Sequence, residues 1–273
     1  GTLVYVPVGT FTQGAPSGEA CRWWDETAFT HTLIRNLAVM ATEVTQEMWV
    51  ALKAVQPTLP GDPSFTIGAA HPVESLTWYE AVLFANLLSA QRSLTRCYYK
   101  DAGFTQPVTA SNYTSGSFYC NFAADGYRLP TEGEWEWSCR AGTTTPFWIA
   151  EPNYGSGNCE NCTPGLLPGL ESAAVFCAND TGDSAEAATK APNPWNLYDT
   201  HGNVWEWCWD WYQADYPAGS VTDYTGPASS SDRAIRGGCY LDGARYCRSA
   251  ERGYRGPGDR GSALGFRLVR SVP

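Results

Sequence analysis

Basic and imidazole side chains are scarce in this chain of 273 residues. Its 18 Lys and Arg stand against 28 Asp and Glu, and the net charge of -10 would repel a phosphate backbone or an anionic bilayer surface. We therefore expect no nucleic-acid partner. The three histidines, His31, His71 and His201, lie far apart, and none belongs to an HExxH helix or a two-His carboxylate cluster. We expect each to be an ordinary core or loop residue.

Long apolar runs are missing as well. No run approaches the roughly 20 residues that cross a bilayer, and the first residues, GTLVYVPVGTF, contain no charged leader or cleavage site. The ten cysteines are an even number, which favours disulfides and an exported or cell-surface location. A lipid anchor on a removed N-terminal segment is one way of holding the protein there. Buried thiols in a cytoplasmic protein are the alternative.

Two of the cysteines, Cys159 and Cys162, form a CENC pair. Such a pair is half of a zinc knuckle, but no second CxxC or His pair lies nearby to complete four ligands. We expect a loop disulfide or two free thiols at this position.

Aromatic residues and glycine are abundant, with 12 Trp and 27 Gly. This composition predicts a core of large planar side chains linked by many turns, within one irregular domain over residues 1–273. The opening LVYVPVGTFTQG predicts a strand that enters a hairpin. Thr42 or Thr45 is suited to cap a first helix, and Thr77 to cap a second one.

The middle of the chain is less regular. CYYK and SFYCNF predict short strands, and YRLPTEGEWEW predicts a short helix with Pro130 at its first position and Thr131 and Glu134 at its start. Residues 142–194 are rich in Gly, Pro, Asn and Thr, and a segment of this length with little periodicity usually carries function or packs through ordered turns.

Seven motifs follow one another between about residues 40 and 270: EVTQEMW, HPVESLTWYEA, YRLPTEGEWEW, PNPWNLYDTHGNVWEWCWDWY, IRGGCY, YCRSAER and LGFRLV. Together they resemble the motif series of the formylglycine-generating-enzyme, or sulfatase-modifying-factor, family. The resemblance implies an α+β protein with a C-type lectin fold of the formylglycine-generating-enzyme type, with a small twisted antiparallel sheet, two main helices and long loops.

Enzymes of that family bind copper through two cysteines separated by four residues, and soft thiolates suit Cu(I). This chain has Cys239 and Cys247, separated by seven residues, in GGCYLDGARYCR. Neither lies where the family places its pair, so we expect no catalytic residue and no enzyme activity. Oxidation of a sulfatase cysteine to formylglycine is the alternative, as is a non-catalytic maturation or regulatory factor.

Two sets of acidic or oxygen-bearing residues were considered as sites. Glu132, Glu134 and Glu136 alternate along TEGEWEW, although carboxylates in a first helical turn are expected from the helix dipole alone. The resemblance further implies that Asn203, Glu206 and the carbonyl of Val204 hold calcium, an ion that prefers oxygen ligands. Calcium is the one cofactor that the sequence suggests.

The segment from residue 236 to 267 mixes small, aromatic and charged residues between positions that keep the family pattern. It resembles the variable proteins of diversity-generating retroelements, in which mutagenesis of Asn codons randomises a ligand-binding surface. The resemblance implies a non-enzymatic protein that binds a protein or cell-surface ligand, as a monomer or in an oligomer. The implied contact residues are Tyr240, Leu241, Asp242, Gly243, Arg245, Tyr246, Gly253, Tyr254, Arg255, Gly256, Gly261, Ser262 and Ala263.

The residue types in this segment agree with that resemblance. Mutated Asn codons never encode Lys, Gln, Glu, Met or Trp, and none of these five types occurs in the 22 residues of CYLDGARYCR and GYRGPGDRGSAL. Glu251 lies between the two stretches. An ordinary glycine-rich family loop is the alternative interpretation. Among the expected contacts, Tyr240, Tyr254 and Arg255 are favoured because aromatic and Arg side chains dominate binding hot spots.

Overall fold

The computed structural model describes residues 1–149 and 159–272. The helices are α1 (Gln46–Val55), α2 (Trp78–Gln91), α3 (Glu132–Arg140) and α4 (Pro168–Ala173), with a short 3-10 helix at Ala244–Cys247. The strands are β1 (Leu3–Val6), β2 (Gly9–Gln13), β3 (Phe29–Leu33), β4 (Leu37–Met40), β5 (Tyr98–Tyr99), β6 (Tyr119–Cys120), β7 (Tyr127–Arg128), β8 (Trp205–Trp211), β9 (Ser220–Thr222), β10 (Arg233–Arg236), β11 (Gly253–Arg255), β12 (Leu264–Gly265) and β13 (Val269–Ser271).

These strands form four small sheets. The first has the order β1-β4-β13-β7 and is antiparallel throughout. The second, β11-β10-β8-β12, is antiparallel except for the parallel pair β8–β12, and the third, β2-β3-β9, has a parallel β3–β9 pair. The fourth is the two-stranded β5-β6 pair. The expected single antiparallel sheet is therefore divided, and two of its parts include one parallel neighbour.

The predicted helix caps are largely confirmed. Thr45 caps α1 by accepting a hydrogen bond from the Met48 N–H at 3.3 Å. Thr77 and Glu80 form a complete capping box at the start of α2, in which each side chain accepts from the other residue's backbone N–H. Nine of the 14 residues of α2 are buried, so this helix is a core element.

Two local predictions were wrong in detail. The opening strands β1 and β2 do not pair with each other, because β1 pairs with β4 and β2 with β3. Pro130 lies before the cap of α3 and not at its first position, since Thr131 is the N-cap and forms a capping box with Glu134. Tertiary pairing decided the first case, which local turn residues cannot reveal.

The largest core cluster packs α1 and α2 against the second sheet and the C-terminal strands. Trp49, Trp78 and Trp207 lie fully buried in it. Trp49 stacks on Phe84, and the Trp78 ring packs edge-on to Phe118. The predicted aromatic core is therefore confirmed. One face of the second sheet packs against this core.

Candidate ligand-binding surface

The second sheet and its connections contain most of the segment that the sequence singled out. We divide that segment into a first segment, residues 237–247, and a second segment, residues 253–266. The first contains the 3-10 helix, and the second contains β11 and β12. Each segment is bounded by an arginine at either end, and all four arginines are buried.

Arg236 precedes the first segment at the end of β10 and is fully buried. Its Nη2 donates to the Glu136 carboxylate and, at 3.1 Å, to the carbonyl of Ser249. Its Nη1 donates to the carbonyl of Glu251. One guanidinium therefore joins α3 to the chain that follows the first segment.

Arg248 follows the first segment and lies among three carboxylates. Its guanidinium donates to Glu26 at 2.5 and 2.8 Å, to Glu19 at 2.7 Å and to Glu251 at 2.9 Å. Burial raises the pKa of Glu251 to about 9. The nearby Glu26 charge acts in the same direction, and the Arg248 guanidinium acts against it. Glu251 therefore keeps its proton to higher pH than an exposed glutamate does.

The second segment is bounded in the same way. Arg252 makes a two-pronged contact with Glu132, with N–O distances of 2.6 and 2.9 Å. Arg267 makes a two-pronged contact with Glu206, with both distances 2.6 Å. Such paired geometry is the strongest form of a charge-assisted hydrogen bond. Burial alone would raise the pKa of the Glu132 carboxyl, but the Arg252 guanidinium holds it below its usual value.

The alternating glutamates of α3 are thus more than helix-dipole residues. Glu132 binds Arg252, Glu136 binds Arg236, and Glu134 binds Arg128 at 2.6 and 2.7 Å while it also closes the capping box. All three glutamates are buried. This helix is therefore the common support of both segments, a role that the sequence interpretation missed.

Three of the predicted contact residues are clearly exposed. Leu241 is 57% exposed and Tyr254 is 49% exposed, and Arg255 lies beside Tyr254 at the surface. The Tyr254 ring stacks on Tyr212 with 4.4 Å between centroids, which fixes its direction without covering it. Their ligand contacts remain a prediction, but their exposure agrees with it.

Other predicted contacts are buried or partly buried. Tyr240 is only 3% exposed and packs with Val175 and Cys239, so it supports the surface from below in this conformation. Asp242 accepts hydrogen bonds from Trp205 Nε1 at 2.8 Å and from the Cys239 N–H at 3.0 Å, and its carboxylate therefore closes a turn. The expectation that Tyr240 is an exposed aromatic contact is corrected by its packing.

The remaining predicted positions are intermediate in exposure, apart from one glycine. Gly243 is buried, and a Cβ there would lie 2.8 Å from the Cα of Glu160, so a side chain would collide with backbone. Gly243 therefore allows two backbone segments of this chain to approach closely and is not placed to contact a ligand. The intermediate positions are Arg245, Tyr246, Gly253, Gly256, Gly261, Ser262 and Ala263.

An N-terminal loop adds residues that the sequence interpretation did not include. The Arg245 guanidinium lies 3.9 Å from the centre of the Trp23 ring, and neighbouring Trp24 is 68% exposed. Arg245 also pairs with Glu160 at 3.2 Å. The sequence feature that could have indicated these residues is the Trp-Trp pair that begins two residues after Cys21, in a loop held by that cysteine.

Two disulfides support the first segment from outside. Cys21 pairs with Cys159, and Cys162 pairs with Cys177. The Arg245 N–H donates to the Cys159 carbonyl, and the Cys177 N–H donates to the Asp242 carbonyl, each at 3.1 Å. The expectation of disulfides is confirmed for these four cysteines. The CENC cysteines bond to distant partners, so they are neither free thiols nor bonded to each other.

The six other cysteines are free thiols. Cys239 and Cys247, at the place of the enzyme motif, are 4% and 0% exposed, and burial raises the pKa of both thiols. A Cβ on Gly238 would lie 3.0 Å from the Cys247 sulfur, so backbone packs directly on that thiol. In this conformation neither sulfur presents a reactive thiolate to a substrate.

The histidines have structural environments. The His201 Nδ1–H donates to the Cys247 carbonyl at 2.7 Å, and burial lowers the pKa of this imidazole to about 3. His31 contacts Gln13 at 2.7 Å and accepts from the Tyr224 N–H, and burial lowers its pKa to about 4. His71 lies 3.4 Å from the Ser184 hydroxyl. His201 therefore ties the loop before β8 to the end of the first segment.

The oxygens considered for calcium are engaged in protein contacts. The Asn203 Oδ1 accepts from the Ala185 N–H, and its Nδ2 donates to Glu43. Both Glu206 oxygens accept from Arg267, and one also accepts from Trp135 Nε1. Val204 is fully buried. As arranged, these residues do not fit a calcium ion, which would have to displace Arg267 from Glu206, and calcium binding stays a prediction.

Within residues 1–149 and 159–272, no cluster of three or more His, Cys, Asp and Glu is arranged to hold a metal ion. The helices in that part of the chain are all too short or too polar to cross a bilayer.

Comparison with known proteins agrees with this architecture. The structure superposes on the Treponema denticola variable protein 1 with a TM-score of 0.80 and 30% sequence identity, covering 99% of this chain and 95% of that one. The expected α+β class and formylglycine-generating-enzyme-type C-type lectin fold are thus confirmed.

Sequence relatives include enzymes and proteins with other names. The formylglycine-generating enzyme of Streptomyces coelicolor is 36% identical over 174 residues, which are 61% of this chain and 53% of that protein. This chain therefore spans about half the length of that relative. The chaperone protein LppX of Paenibacillus barcinonensis is 27% identical over 84% of this chain and 78% of its own length.

The family model described as the sulfatase-modifying factor enzyme 1-like domain matches residues 1–272. The match covers both segments, the α3 support and the buried arginines, and the motif series in the sequence falls within it. This chain belongs to the family of sulfatase-modifying factor enzyme 1-like domains.

Proposed function

We propose that this protein is a non-enzymatic ligand-binding scaffold, whose two C-terminal segments present exchangeable contact residues to a protein or cell-surface ligand. The observation that carries the proposal is the placement of a buried Arg–carboxylate contact at each end of each segment. Changes at exposed positions between these contacts leave the supporting network in place. The likeness to the Treponema denticola variable protein 1 supports the same interpretation.

The exposed positions suit recognition. Tyr254 and Leu241 offer apolar area on a supported backbone, and Arg255 adds a charged fork at the same edge. A rigid support reduces the ordering cost of binding, which favours affinity without any catalytic group. Trp24, which follows the Trp23 ring contacted by Arg245, offers a further exposed aromatic side chain.

An exported or cell-surface location accompanies this proposal. It is supported by the two disulfides, which persist in oxidising compartments. A lipid anchor outside the present chain would be compatible with it. Oligomeric state is left to measurement, with a monomer sufficient for the proposed function.

Sequencing of close relatives tests the variable-surface part of this function. Copies of the gene within one genome or species should differ chiefly at Leu241, Tyr254, Arg255 and neighbouring exposed positions, with Arg236, Arg248, Arg252 and Arg267 unchanged. A near-identical repeat of the segment beside a reverse-transcriptase gene would establish how they vary. Differences spread evenly over buried and exposed positions would overturn the proposal.

A second candidate is formylglycine-generating activity, which the 36% identical enzyme of Streptomyces coelicolor favours. Against it stand the spacing and burial of Cys239 and Cys247. Incubation with Cu(I) and a cysteine-containing sulfatase peptide, followed by mass spectrometry of the peptide, distinguishes the two. Conversion that Cys247→Ser abolishes would favour the enzyme. Absence of conversion would leave ligand binding or a non-catalytic maturation or regulatory role.

A further inference from the structure

A loop outside both segments exposes two large apolar side chains. Phe65 is 74% exposed and Ile67 is 79% exposed, the two highest values among the exposed large hydrophobic residues. Apolar residues scattered singly on a surface are ordinary, whereas neighbouring ones that form a patch rimmed by polar residues indicate an interaction site.

The backbone of this loop is held by a buried carboxylate. Glu74 is 0% exposed, and its Oε1 accepts from the N–H groups of Phe65 at 2.5 Å and Thr66 at 2.9 Å. Its other oxygen, Oε2, is buried as well, and the Ser75 side chain adds a hydrogen bond to this carboxylate. Glu74 therefore fixes the backbone that presents Phe65 and Ile67 to solvent.

A second loop, residues 178–187, lies against the first. The Thr66 hydroxyl donates to the Asp183 carboxylate at 3.1 Å, and the Ala187 N–H donates to the Ala70 carbonyl at 2.9 Å. We call the surface that these loops share the loop patch. It consists of Asp62, Phe65, Ile67, Asp180, Asp183 and Glu186.

The charge of the loop patch has one sign. Four of its six residues are acidic, and residues 57–71 and 178–187 contain no Lys or Arg. Asp62, Asp183 and Glu186 are exposed, with Asp180 partly exposed. The patch therefore joins apolar contact area to a negative field, which is complementary to a partner that is both apolar and cationic.

The loop patch is continuous with the proposed ligand surface. Ala185, in the second loop, and Ala263, in the second segment, both pack against the cluster that contains Tyr240 of the first segment. The Ser75 N–H, next to Glu74, donates to the Gly261 carbonyl at 3.0 Å. A polypeptide bound across the segments could therefore reach the patch without leaving the surface.

We propose that the loop patch binds a basic polypeptide segment that carries apolar side chains, as the constant half of the ligand surface whose other half is variable. The proposal rests on the proposed ligand-binding function and names the chemical class of its partner. Phe65 and Ile67 provide apolar contacts, and the surrounding carboxylates receive Lys or Arg. The variable segments then select among partners that share this basic, apolar character.

Fluorescence anisotropy with labelled peptides tests the proposal. We use peptides of equal length that alternate Lys with Leu, Glu with Leu, or Lys with Ser, with the whole protein. The Lys–Leu peptide should bind at least about tenfold more tightly than either other peptide, and its affinity should fall about tenfold between ~50 and ~500 mM NaCl. Equal binding of all three peptides would overturn the proposal.

Matched variants locate the binding. Asp62→Asn with Asp183→Asn removes two charges while keeping the side-chain oxygens that accept in these loops. This double variant should weaken Lys–Leu binding about tenfold, whereas Asp125→Asn with Asp215→Asn, which removes one partly exposed and one exposed charge elsewhere, should change it less than about twofold. Equal losses in the two double variants would show a general effect of net charge and would refute the patch.

Apolar variants separate this proposal from the wider function. Phe65→Ser with Ile67→Ser should weaken Lys–Leu binding about tenfold, with Ile34→Ser with Val8→Ser as the matched exposed control. Circular dichroism should show all four double variants folded.

A ligand selected for binding to the protein separates the two proposals. If Leu241→Ser with Tyr254→Ser weakens its binding and the patch variants do not, the patch proposal fails while the proposed function stands. Loss only on the patch variants would count against the variable segments and leave the patch supported.

Discussion

Removal of one bounding arginine should cost far more stability than removal of an exposed arginine in the same segment. Arg252→Leu would leave the Glu132 carboxylate buried, with the Tyr216 hydroxyl at 3.0 Å and Arg236 Nε at 3.7 Å as its remaining partners. Breaking a buried pair costs ~3–5 kcal/mol when an uncompensated charge stays in the interior, and because Arg236 compensates part of the Glu132 charge we expect a loss of ~3 kcal/mol. A domain has a total of only ~5–15 kcal/mol of stability. Urea unfolding followed by Trp fluorescence measures this difference.

The matched control is Arg255→Leu, because Arg255 lies three residues further along and is exposed. We expect it to change the free energy of unfolding by less than ~0.5 kcal/mol. A double variant, Arg252→Leu with Glu132→Leu, removes both charges and should recover part of the loss, since well-packed apolar replacements of buried pairs are often nearly neutral. Equal losses for Arg252→Leu and Arg255→Leu would refute the argument that buried pairs hold the segments.

Three further predictions concern protons and disulfides. Because burial lowers the pKa of His201 to about 3, the unfolded chain takes up a proton at this residue below pH ~6.5 and the folded chain does not, so the contribution of His201 to stability should fall by ~2–3 kcal/mol between pH 6.5 and 4.5; in urea titrations His201→Gln should lose less than the unchanged protein over this range. Because burial raises the pKa of Glu251 to about 9, the contribution of Glu251 to stability should fall as pH rises from 5 to 8, opposite in sign to that of His201 where the two ranges overlap, and Glu251→Gln should remove that fall in the same assay. Cys162→Ser with Cys177→Ser opens a loop with a sequence separation of 15 residues and should cost ~3 kcal/mol, seen as a lower thermal midpoint under non-reducing conditions; an unchanged midpoint would contradict this.

Features set by neighbouring residues were predictable from the sequence. Thr45 and Thr77 were identified as caps because the cap bonds join residues three positions apart. The motif series identified the fold because each motif corresponds to a local turn or element. The positions of β1 and β2 could not be predicted in the same way, since their partners β4 and β3 are chosen by packing over the whole chain.

The contacts that support the candidate surface were the hardest feature to predict from the sequence. The contact between Arg252 and Glu132 joins residues 120 positions apart, and the alternation of glutamates in α3 resembles ordinary dipole compensation. The sequence also does not fix which of the predicted contact residues reach the surface: the Tyr240 ring packs inward against Val175, whereas Leu241 and Tyr254 are exposed.

A library tests the central claim most directly, that buried pairs support a surface whose contacts can be exchanged. Leu241, Tyr254 and Arg255 are randomised together, displayed on cells, and sorted first for protease resistance and then for binding to an unrelated protein. The account predicts that most members stay folded and that binders emerge, whereas a library at Arg236, Arg252 and Arg267 loses protease resistance. Similar loss of folded members in both libraries, or folded members that never yield a binder, would contradict it.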